Sequence, residues 1–203
     1  MSSETERPEP TVFIVDDDRN ILRAMQFLLK SVGLRSEVFA SGDEFLEAFD
    51  AKRPGCLVLD IRMPGLGGLE LQERLLGIRS SLPIIFVTGH GDVPMAVEAM
   101  QKGAFDFVQK PFSEDDLLGR IQAALAADRR ERDEQARRAD VASRLGLLTA
   151  REREVMELVV TGKPNKVIAY ELGVSQRTVE IHRARVMDKM QARSLADLVR
   201  MNL

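Results

Sequence analysis

The sequence has a single cysteine, no tryptophan and a single tyrosine among its 203 residues. Cys56 cannot form a disulfide framework within the chain, and its place beside an apolar run favours a buried, unreactive thiol. No apolar run approaches the roughly 18 residues that a membrane span needs. Residues 1–10 are polar, acidic and contain proline, unlike a signal peptide or an anchor. We therefore expect a cytoplasmic protein with no membrane partner and with a disordered segment at residues 1–10.

The charges are unevenly distributed, although the net charge is only −3 and the hydrophobic content of 44% is ordinary. Residues 1–120 carry 13 Lys and Arg against 20 Asp and Glu, whereas residues 146–203 carry 10 against 7. An acidic front and a mildly basic back predict two domains with different partners. The basic excess permits nucleic-acid binding without proving it.

The front of the chain alternates short apolar runs with segments whose apolar residues recur at helical spacing. The runs predict five strands, at residues 11–15, 36–40, 57–60, 83–88 and 104–109. Continuous apolar runs of this kind are typical of strands covered on both faces in a parallel sheet. Alternation of strand and helix over about 120 residues predicts an α/β domain with a doubly wound, five-stranded parallel sheet.

Polar residues follow the carboxyl ends of four predicted strands: Asp16 and Asp17, Asp60, Thr88 and Lys110. Ligand sites of doubly wound sheets lie outside the carboxyl ends of the strands, so we expect these side chains to converge. Surface residues that merely end strands would not combine carboxylates, a hydroxyl and an ammonium in this way. Crowded carboxylates repel one another, and hard oxygen ligands suit Mg²⁺. A carboxylate beside such a cation can attack phosphorus, and Asp60 is the candidate because it stands alone on its strand.

Four motifs resemble the receiver domain of bacterial two-component response regulators, in full order and spacing over residues 11–125: Val15-Asp16-Asp17-Asp18, Asp60-x-x-Met63-Pro64, Thr88-Gly89 and Lys110-Pro111-Phe112. Residues 89–100 resemble the FixJ-type subgroup in particular. The resemblance implies a flavodoxin-like fold and a Lys110–Pro111 peptide bond that is cis, as in relatives.

The same resemblance implies a role for each residue at the strand ends. Asp60 is the phospho-acceptor, and Thr88 and Lys110 contact the phosphoryl group. Mg²⁺ is the implied cofactor, with ligands from Asp16, Asp17, Asp60 and the backbone carbonyl of Arg62. Phe107 takes the place of the family's aromatic switch residue but has no hydroxyl. His90 and Arg62 occupy positions that tune the phosphoryl lifetime in relatives, although a plain loop residue is the simpler interpretation of His90.

The apolar stripe of the last receiver helix, through Leu117, Ile121 and Ala124, disappears from residue 128 onward. Opposite charges at four-residue spacing, such as Glu134 with Arg138, support a solvated helix by a few tenths of a kcal/mol each. The segment has no sustained heptad pattern, so no strong coiled coil is predicted. We therefore predict a helical linker over residues 126–145.

The last segment, residues 146–203, has the pattern of an all-α helix-turn-helix domain. Thr149 and Glu152 form a capping-box pattern at the start of one helix. A short helix from Asn165 stops at Gly173, and Ser175 caps a longer one that reaches about Met190. From composition alone, the polar residues of that longer helix fit a solvated face as well as a binding face.

Three motifs resemble the LuxR-type DNA-binding domain: Leu148-Thr149-x-x-Glu152-x-x-Val155, Asn165-Lys166-x-Ile168-Ala169 and Ser175-x-x-Thr178-Val179-x-x-His182. The resemblance implies that the helix from Ser175 enters the major groove of double-stranded DNA. Gln176 and Arg177, at the start of this helix, are further implied DNA-binding residues. The implied base-edge residues are Glu180, Ile181 and Ala184, and Glu180 can accept from a cytosine amine. The implied phosphate contacts are Lys166, Thr178, His182, Arg183 and Arg185. The helix from Ser194 resembles the one that pairs two DNA-bound subunits.

Both resemblances predict a transcriptional response regulator that a sensor histidine kinase phosphorylates on Asp60. Phosphorylation is expected to promote a homodimer and promoter binding, with RNA polymerase as a further partner. Slow hydrolysis of its own phosphoryl group would be its only enzyme-like activity. One alternative is a phosphohydrolase with an Asp nucleophile, although such enzymes usually carry a second acid where this chain has Arg62. Another is a receiver with an RNA- or protein-binding output domain.

Overall fold

A computed structural model describes residues 8–89 and 93–202. His90 and residues 1–7, on which two of the expectations fall, lie outside the described residues. Clustering of the chain's internal contacts divides it into two compact units, with the boundary between Arg132 and Asp133. Within the described part of the chain, no helix is both long and apolar enough to cross a membrane.

The first unit is an α/β domain in which strands and helices alternate along the chain. In order, the elements are β1 Thr11–Val15, α1 Arg19–Ser31, β2 Arg35–Phe39, α2 Gly42–Ala48, β3 Gly55–Asp60, α3 Gly68–Gly77, β4 Ile84–Thr88, α4 Val93–Gln101, β5 Asp106–Gln109 and α5 Glu114–Gly146. The strands form one parallel sheet in the order β2-β1-β3-β4-β5. This confirms the predicted doubly wound, five-stranded sheet.

Two hydrophobic cores cover the two faces of the sheet, because side chains alternate between the faces along each strand. Phe13, Leu57 and Leu59 contribute to one core, which α2, α3 and α4 complete. Val12 and Val58, one residue along the same strands, contribute to the other, which α1 and α5 complete. Burial on both faces explains why β1, β3 and β4 are continuously apolar.

Several predicted strand limits differ from the structure. β3 begins two residues earlier than predicted, at Gly55, and β4 begins one residue later, at Ile84. β2 begins and ends one residue earlier than predicted, at Arg35 and Phe39. β5 begins at Asp106, because the backbone N–H of Ala104 bonds instead to the Ala99 carbonyl and so closes the end of α4. A local cap of this kind leaves no signature in the apolar pattern.

The second unit is all helical and begins within α5, whose last part, from Asp133 onward, belongs to it. Its further elements are α6 Ala150–Val160, α7 Asn165–Leu172, α8 Gln176–Met190 and α9 Leu195–Asn202. The predicted capping box is present: the Thr149 side chain accepts from the Glu152 N–H, and Glu152 Oε2 accepts from the Thr149 N–H at 2.9 Å. The turn between α7 and α8 contains Gly173 with φ +65°, so the predicted helix-turn-helix is confirmed.

One core holds the second unit together. Its fully buried side chains come from all four short helices: Val155, Met156, Val159, Ile168, Val179, Val186, Met190 and Leu198. Each of α6, α7 and α8 buries one narrow stripe and leaves the rest of its surface free. The outer surface of α8 is therefore available to carry function.

Candidate functional site

The carboxyl ends of three strands bring two acids and one base together. Asp16 follows β1 and Asp60 ends β3, and their side chains are 4% and 11% exposed. Lys110 follows β5, and its Nζ lies 2.9 Å from Asp60 Oδ1 and 3.2 Å from Asp16 Oδ2. The predicted convergence of these three residues is therefore present in the structure.

Backbone N–H groups orient the remaining carboxylate oxygens. The Arg62 N–H donates to Asp60 Oδ2 at 3.0 Å, and the Asp18 N–H donates to Asp16 Oδ1 at 2.8 Å. Each carboxylate thus has one oxygen on a backbone N–H and the other on the Lys110 ammonium. Fixed geometry of this kind keeps a reacting oxygen in place without a large reorganisation.

Burial and neighbouring charges act in opposite directions on the pKa of Asp60. Burial raises this pKa, the charge of Asp16 raises it further, and the Lys110 hydrogen bond partly opposes both. Burial alone would lower the pKa of Lys110, but its hydrogen bonds to Asp60 and Asp16 outweigh burial and raise it. Lys110 therefore stays a cation beside an acid whose charged form is costly.

Thr88 and Phe107 occupy the neighbouring strands β4 and β5. Thr88 is 2% exposed and its Oγ1 donates to the Val108 carbonyl at 3.5 Å, so it holds the end of β5 beside the acids. The Phe107 ring is 37% exposed, at the surface of β5. The Lys110–Pro111 peptide is cis, which confirms that prediction.

The loop after Asp60 passes close to the start of α3 at Gly68. The Gly68 N–H donates to the Ile61 carbonyl at 3.1 Å. A Cβ atom at Gly68 would lie 2.4 Å from the backbone oxygen of Asp60. Only glycine permits this approach, which the sequence pattern could indicate only as a turn.

The donor set at this edge contains only oxygen ligands, which is the chemistry that Mg²⁺ prefers. Two carboxylates facing one ammonium also leave a net negative charge that a cation would balance. Asp17 is exposed, however, and is not among the partners of Lys110. Among residues 8–89 and 93–202, no group of three His, Cys, Asp or Glu side chains is close enough together to hold a metal ion. The chemistry of the residues fits Mg²⁺, whereas the full ligand set stays a prediction.

The second unit presents α8 with most of the predicted DNA-contact residues on its surface. Seven of these residues are exposed: Lys166 on α7 and Gln176, Arg177, Glu180, Ile181, Ala184 and Arg185 on α8. Thr178, His182 and Arg183 are half-buried. The fully buried face of α8, at Val179, Val186 and Met190, points into the core, so the polar residues remain free for a ligand.

Hydrogen bonds fix part of this surface. Thr178 Oγ1 lies 2.8 Å from Ser175 Oγ at the start of α8. Arg183 donates to Asn165 Oδ1 at 3.1 Å and so joins α8 to the beginning of α7. Nδ1 of His182 is buried and has no hydrogen-bond partner in the described part of the chain. Sequence reasoning assigned Arg183 to DNA phosphate and missed its bond to Asn165, although Asn165 was within the quoted motif.

The fold and the two sites together define a class of protein: a receiver-type α/β signalling domain with a helix-turn-helix DNA-binding domain. Residues 12–122 match the family described as "Response regulator receiver domain". Residues 146–202 match "Bacterial regulatory proteins, luxR family". The chain belongs to the response regulators of this type, and it is a DNA-binding transcriptional response regulator of a two-component system.

Proteins similar to this chain match it over nearly its whole length. Nodulation protein W of Bradyrhizobium diazoefficiens is 48% identical over 94% of this chain and 84% of its own length. Transcriptional regulatory protein FixJ of the same organism is 45% identical over 94% of this chain and 93% of its own length. The solved structure of response regulator StyR gives a TM-score of 0.88 at 43% identity, covering 96% of this chain and 98% of that one. The family members are transcription regulators, which agrees with a protein that is not an enzyme.

Proposed function

We propose that Asp60 accepts a phosphoryl group from a sensor histidine kinase and that this event controls DNA binding by α8. The observation that carries the proposal is the pairing of the buried acids Asp60 and Asp16 with Lys110 at the carboxyl edge of the sheet. DNA binding also supports a cytoplasmic location.

In the proposed step, an oxygen of Asp60 attacks the phosphorus of a phosphohistidine. An O–P bond forms, the N–P bond breaks, and its electron pair returns to the imidazole nitrogen of the kinase. Lys110 and Thr88 would then face the new phosphoryl oxygens, one with positive charge and one with a hydroxyl. Asp16, Asp17, Asp60 and the carbonyl of Arg62 would hold Mg²⁺, which supplies positive charge to the transferring oxygens. Slow hydrolysis of the acyl phosphate by water would return the protein to its first state.

A small phosphodonor such as acetyl phosphate tests this assignment directly. Wild-type protein should gain the mass of one phosphoryl group in the presence of Mg²⁺, and Asp60→Asn should gain none. Asp43→Asn removes an exposed carboxylate on α2 and should label as wild type does. Labelling of Asp60→Asn at the wild-type rate would refute the assignment.

For the output, we propose that α8 reads base edges through Glu180, Ile181 and Ala184. The flanking residues Lys166, Thr178, His182, Arg183 and Arg185 would contact DNA phosphates, and Gln176 and Arg177 would also contact DNA from the start of α8. Lys166, Arg177 and Arg185 are both exposed and basic, which supports this proposal. Affinity for duplex DNA should fall steeply with salt and should exceed affinity for RNA of the same sequence.

Dimerisation on phosphorylation is part of the proposal, with RNA polymerase as a later partner at the promoter. Val97 and Met100 on α4 and Phe107 on the neighbouring β5 are 50%, 38% and 37% exposed. Apolar side chains on adjacent elements provide a surface that a second subunit could cover.

Phosphorylation would shift the receiver between two conformations. A shift of their ratio from 1:99 to 99:1 needs about 5.5 kcal/mol of differential stabilisation. The contacts of the phosphoryl group with Lys110, Thr88 and Mg²⁺ would supply most of this stabilisation.

We further propose a receiver domain at residues 11–125, a helical linker at 126–145 and a LuxR-type domain at 146–203. The continuous α5, Glu114–Gly146, supports a helical linker. The ion pair between Glu134 and Arg138, at 3.0 Å, is present as predicted.

A further inference from the structure

A buried carboxylate lies on α5 where the apolar stripe of that helix ends. Asp128 is 2% exposed and continues the buried positions Leu117, Ile121 and Ala124 by one more turn. Its Oδ2 accepts from the Gly55 N–H at the start of β3, at 3.0 Å. Both carboxylate oxygens accept from Arg132 Nε at 2.9 Å. A charged residue thus occupies a core position, and it does so with its hydrogen bonds satisfied.

Arg132 extends the same contact to the loop between α2 and β3. Its guanidinium donates to the Ala51 carbonyl at 3.2 Å, the Lys52 carbonyl at 3.1 Å and the Arg53 carbonyl at 2.6 Å. The planar, five-donor guanidinium can reach several acceptors at once, which a lysine ammonium cannot do in the same geometry. Three carbonyl oxygens of one loop are therefore held by a single side chain of α5.

The loop is itself anchored to the sheet. Arg53 pairs with Glu37 of β2, and its guanidinium lies 4.9 Å from the centre of the Phe13 ring of β1. Gly55 packs so closely that a Cβ there would lie 2.0 Å from the Thr11 carbonyl oxygen. The contacts of Asp128 and Arg132 with Gly55 and residues 51–53, here named the α5 clamp, thus end on a loop that is itself attached to β1 and β2.

The α5 clamp also contains Asp128, the last buried side chain of α5 before the boundary between the two units. Residues 133–140 include no buried residue, and the division between the two compact units falls directly after Arg132. A polar helix that buries no apolar face is only marginally stable. Without the clamp, the attached part of α5 would end near Ala124, about two turns earlier.

We infer that Asp128 and Arg132 are positioning residues that set where the linker part of α5 leaves the receiver, and that signal transmission from Asp60 to α8 depends on them. The second half of this inference rests on the proposed function. The clamp lies at the amino end of β3 and does not touch the acids at the carboxyl ends of the strands. It can therefore affect transmission without affecting phosphorylation.

Amide hydrogen exchange in the full-length chain tests the anchoring alone. In Arg132→Gln, the Gly55 amide and the amides of residues 126–136 should exchange about tenfold faster or more, because buried charge-assisted bonds are lost. Arg130→Gln makes the same chemical change at an exposed position two residues away and should leave these amides unchanged. Wild-type exchange in Arg132→Gln would overturn the inference.

The transmission role is tested by phosphodonor labelling and by duplex-DNA affinity with and without phosphorylation. Arg132→Gln and the milder Asp128→Asn, both confirmed as folded by circular dichroism, should label within about twofold of wild type but lose most of the phosphorylation-dependent gain in affinity. Arg130→Gln, with the same loss of one positive charge, should keep that gain. A full gain in Arg132→Gln would overturn the transmission role. Absence of a gain in wild type would refute the proposed function, while the exchange result would still decide the anchoring.

Discussion

At the scale of single residues, the ionised form of Asp60 is less favourable in the folded protein than in the unfolded chain. Burial and the charge of Asp16 raise its pKa above the ordinary value of 3.8, despite the opposing bond from Lys110. Because the pKa of Asp60 is raised in the folded state, the folded protein binds more protons at this residue than the unfolded chain does at pH values between 3.8 and the folded pKa. The contribution of Asp60 to stability is therefore complete below pH 3.8 and is lost as the pH rises through its folded pKa.

The neutral variant Asp60→Asn should consequently be more stable than wild type at neutral pH. Urea unfolding should show a higher midpoint for the variant at pH 7, and the difference should shrink as the pH falls toward 3.8. The exposed replacement Asp43→Asn should have little effect. A lower midpoint for Asp60→Asn at pH 7 would contradict the inferred strain at this carboxylate.

Gly68 should tolerate no side chain, because a Cβ would lie 2.4 Å from the Asp60 carbonyl oxygen. Gly68→Ala should lower the free energy of unfolding by about 1–3 kcal/mol through backbone displacement, and it should slow phosphodonor labelling because Asp60 shifts. Thermal unfolding and a labelling time course measure the two effects.

Gly119 provides the matched control, since it lies on α5 with nothing within 4 Å of an added Cβ. Gly119→Ala should raise stability by about 0.5–1 kcal/mol, because alanine favours helix. Equal stability changes in the two variants would argue against a special role for the Gly68 contact.

Residue types at the site were predictable, but their mutual contacts were only partly so. Strand ends and the order of residues indicated that Asp16, Asp60 and Lys110 meet. The same reasoning included Thr88, whose hydroxyl bonds to the Val108 carbonyl in the structure. The exposure of Asp17 could not be predicted. Asp17 lies past the end of β1, where the strand's alternation no longer determines the direction of a side chain. The requirement for Gly68 depends on a distance between two backbone segments, which no local pattern encodes.

At the scale of secondary-structure elements, an ion pair joins the start of α6 to the end of α8. Glu152 at the start of α6 is 2% exposed and accepts from Lys189 Nζ, near the end of α8, at 2.6 Å. Hydrogen bonds from Lys189 and from the Thr149 backbone lower the pKa of Glu152 to about 2. The ionised carboxylate therefore stabilises the capping box and the contact between α6 and α8.

Glu152→Gln should destabilise the second unit at neutral pH, because glutamine keeps the shape but loses the charge that Lys189 requires. A lowered pKa stabilises the fold above the ordinary value of 4.5, and this contribution is lost as the pH falls toward about 2. Amides of α6 and α8 should exchange faster in the variant at pH 7, with the difference from wild type shrinking in acid. Glu157→Gln, exposed on the same helix, should behave as wild type does.

Helix α5 shows where element-level prediction fails. Apolar spacing identified Leu117, Ile121 and Ala124 as core positions, and it predicted a fully solvated helix from residue 128 onward. That second expectation was wrong at Asp128, which is buried. A hydrophobic pattern cannot reveal a core position filled by a carboxylate whose partners, Gly55 and Arg132, come from different parts of the chain.

At the scale of the whole molecule, the acidic front and basic back coincide with the two structural units and their different partners. Alternation of strands and helices sufficed to predict the sheet, and the capping and glycine signals sufficed for the helix-turn-helix. Long-range polar contacts such as Arg183 with Asn165 were not predictable, because they depend on how the helices pack.

The charge distribution leads to a salt-dependence prediction. Lys166→Ala should reduce the slope of log affinity for duplex DNA against log salt by about one, because one phosphate contact is lost. Lys30→Ala removes the same charge from α1 of the receiver and should leave the slope unchanged. Fluorescence anisotropy at several salt concentrations gives both slopes, and equal slopes for Lys166→Ala and wild type would remove Lys166 from the interface.

Cys56 has a practical consequence for spectroscopy. The thiol is fully buried, and burial together with the charge of Asp128 raises its pKa to about 12. Maleimide and methanethiosulfonate reagents require an accessible thiolate, so the native chain should remain unlabelled while it is folded. New cysteines at exposed positions of the two units could therefore be spin-labelled in the natural background. Distances between such labels could then be followed as Asp60 is phosphorylated.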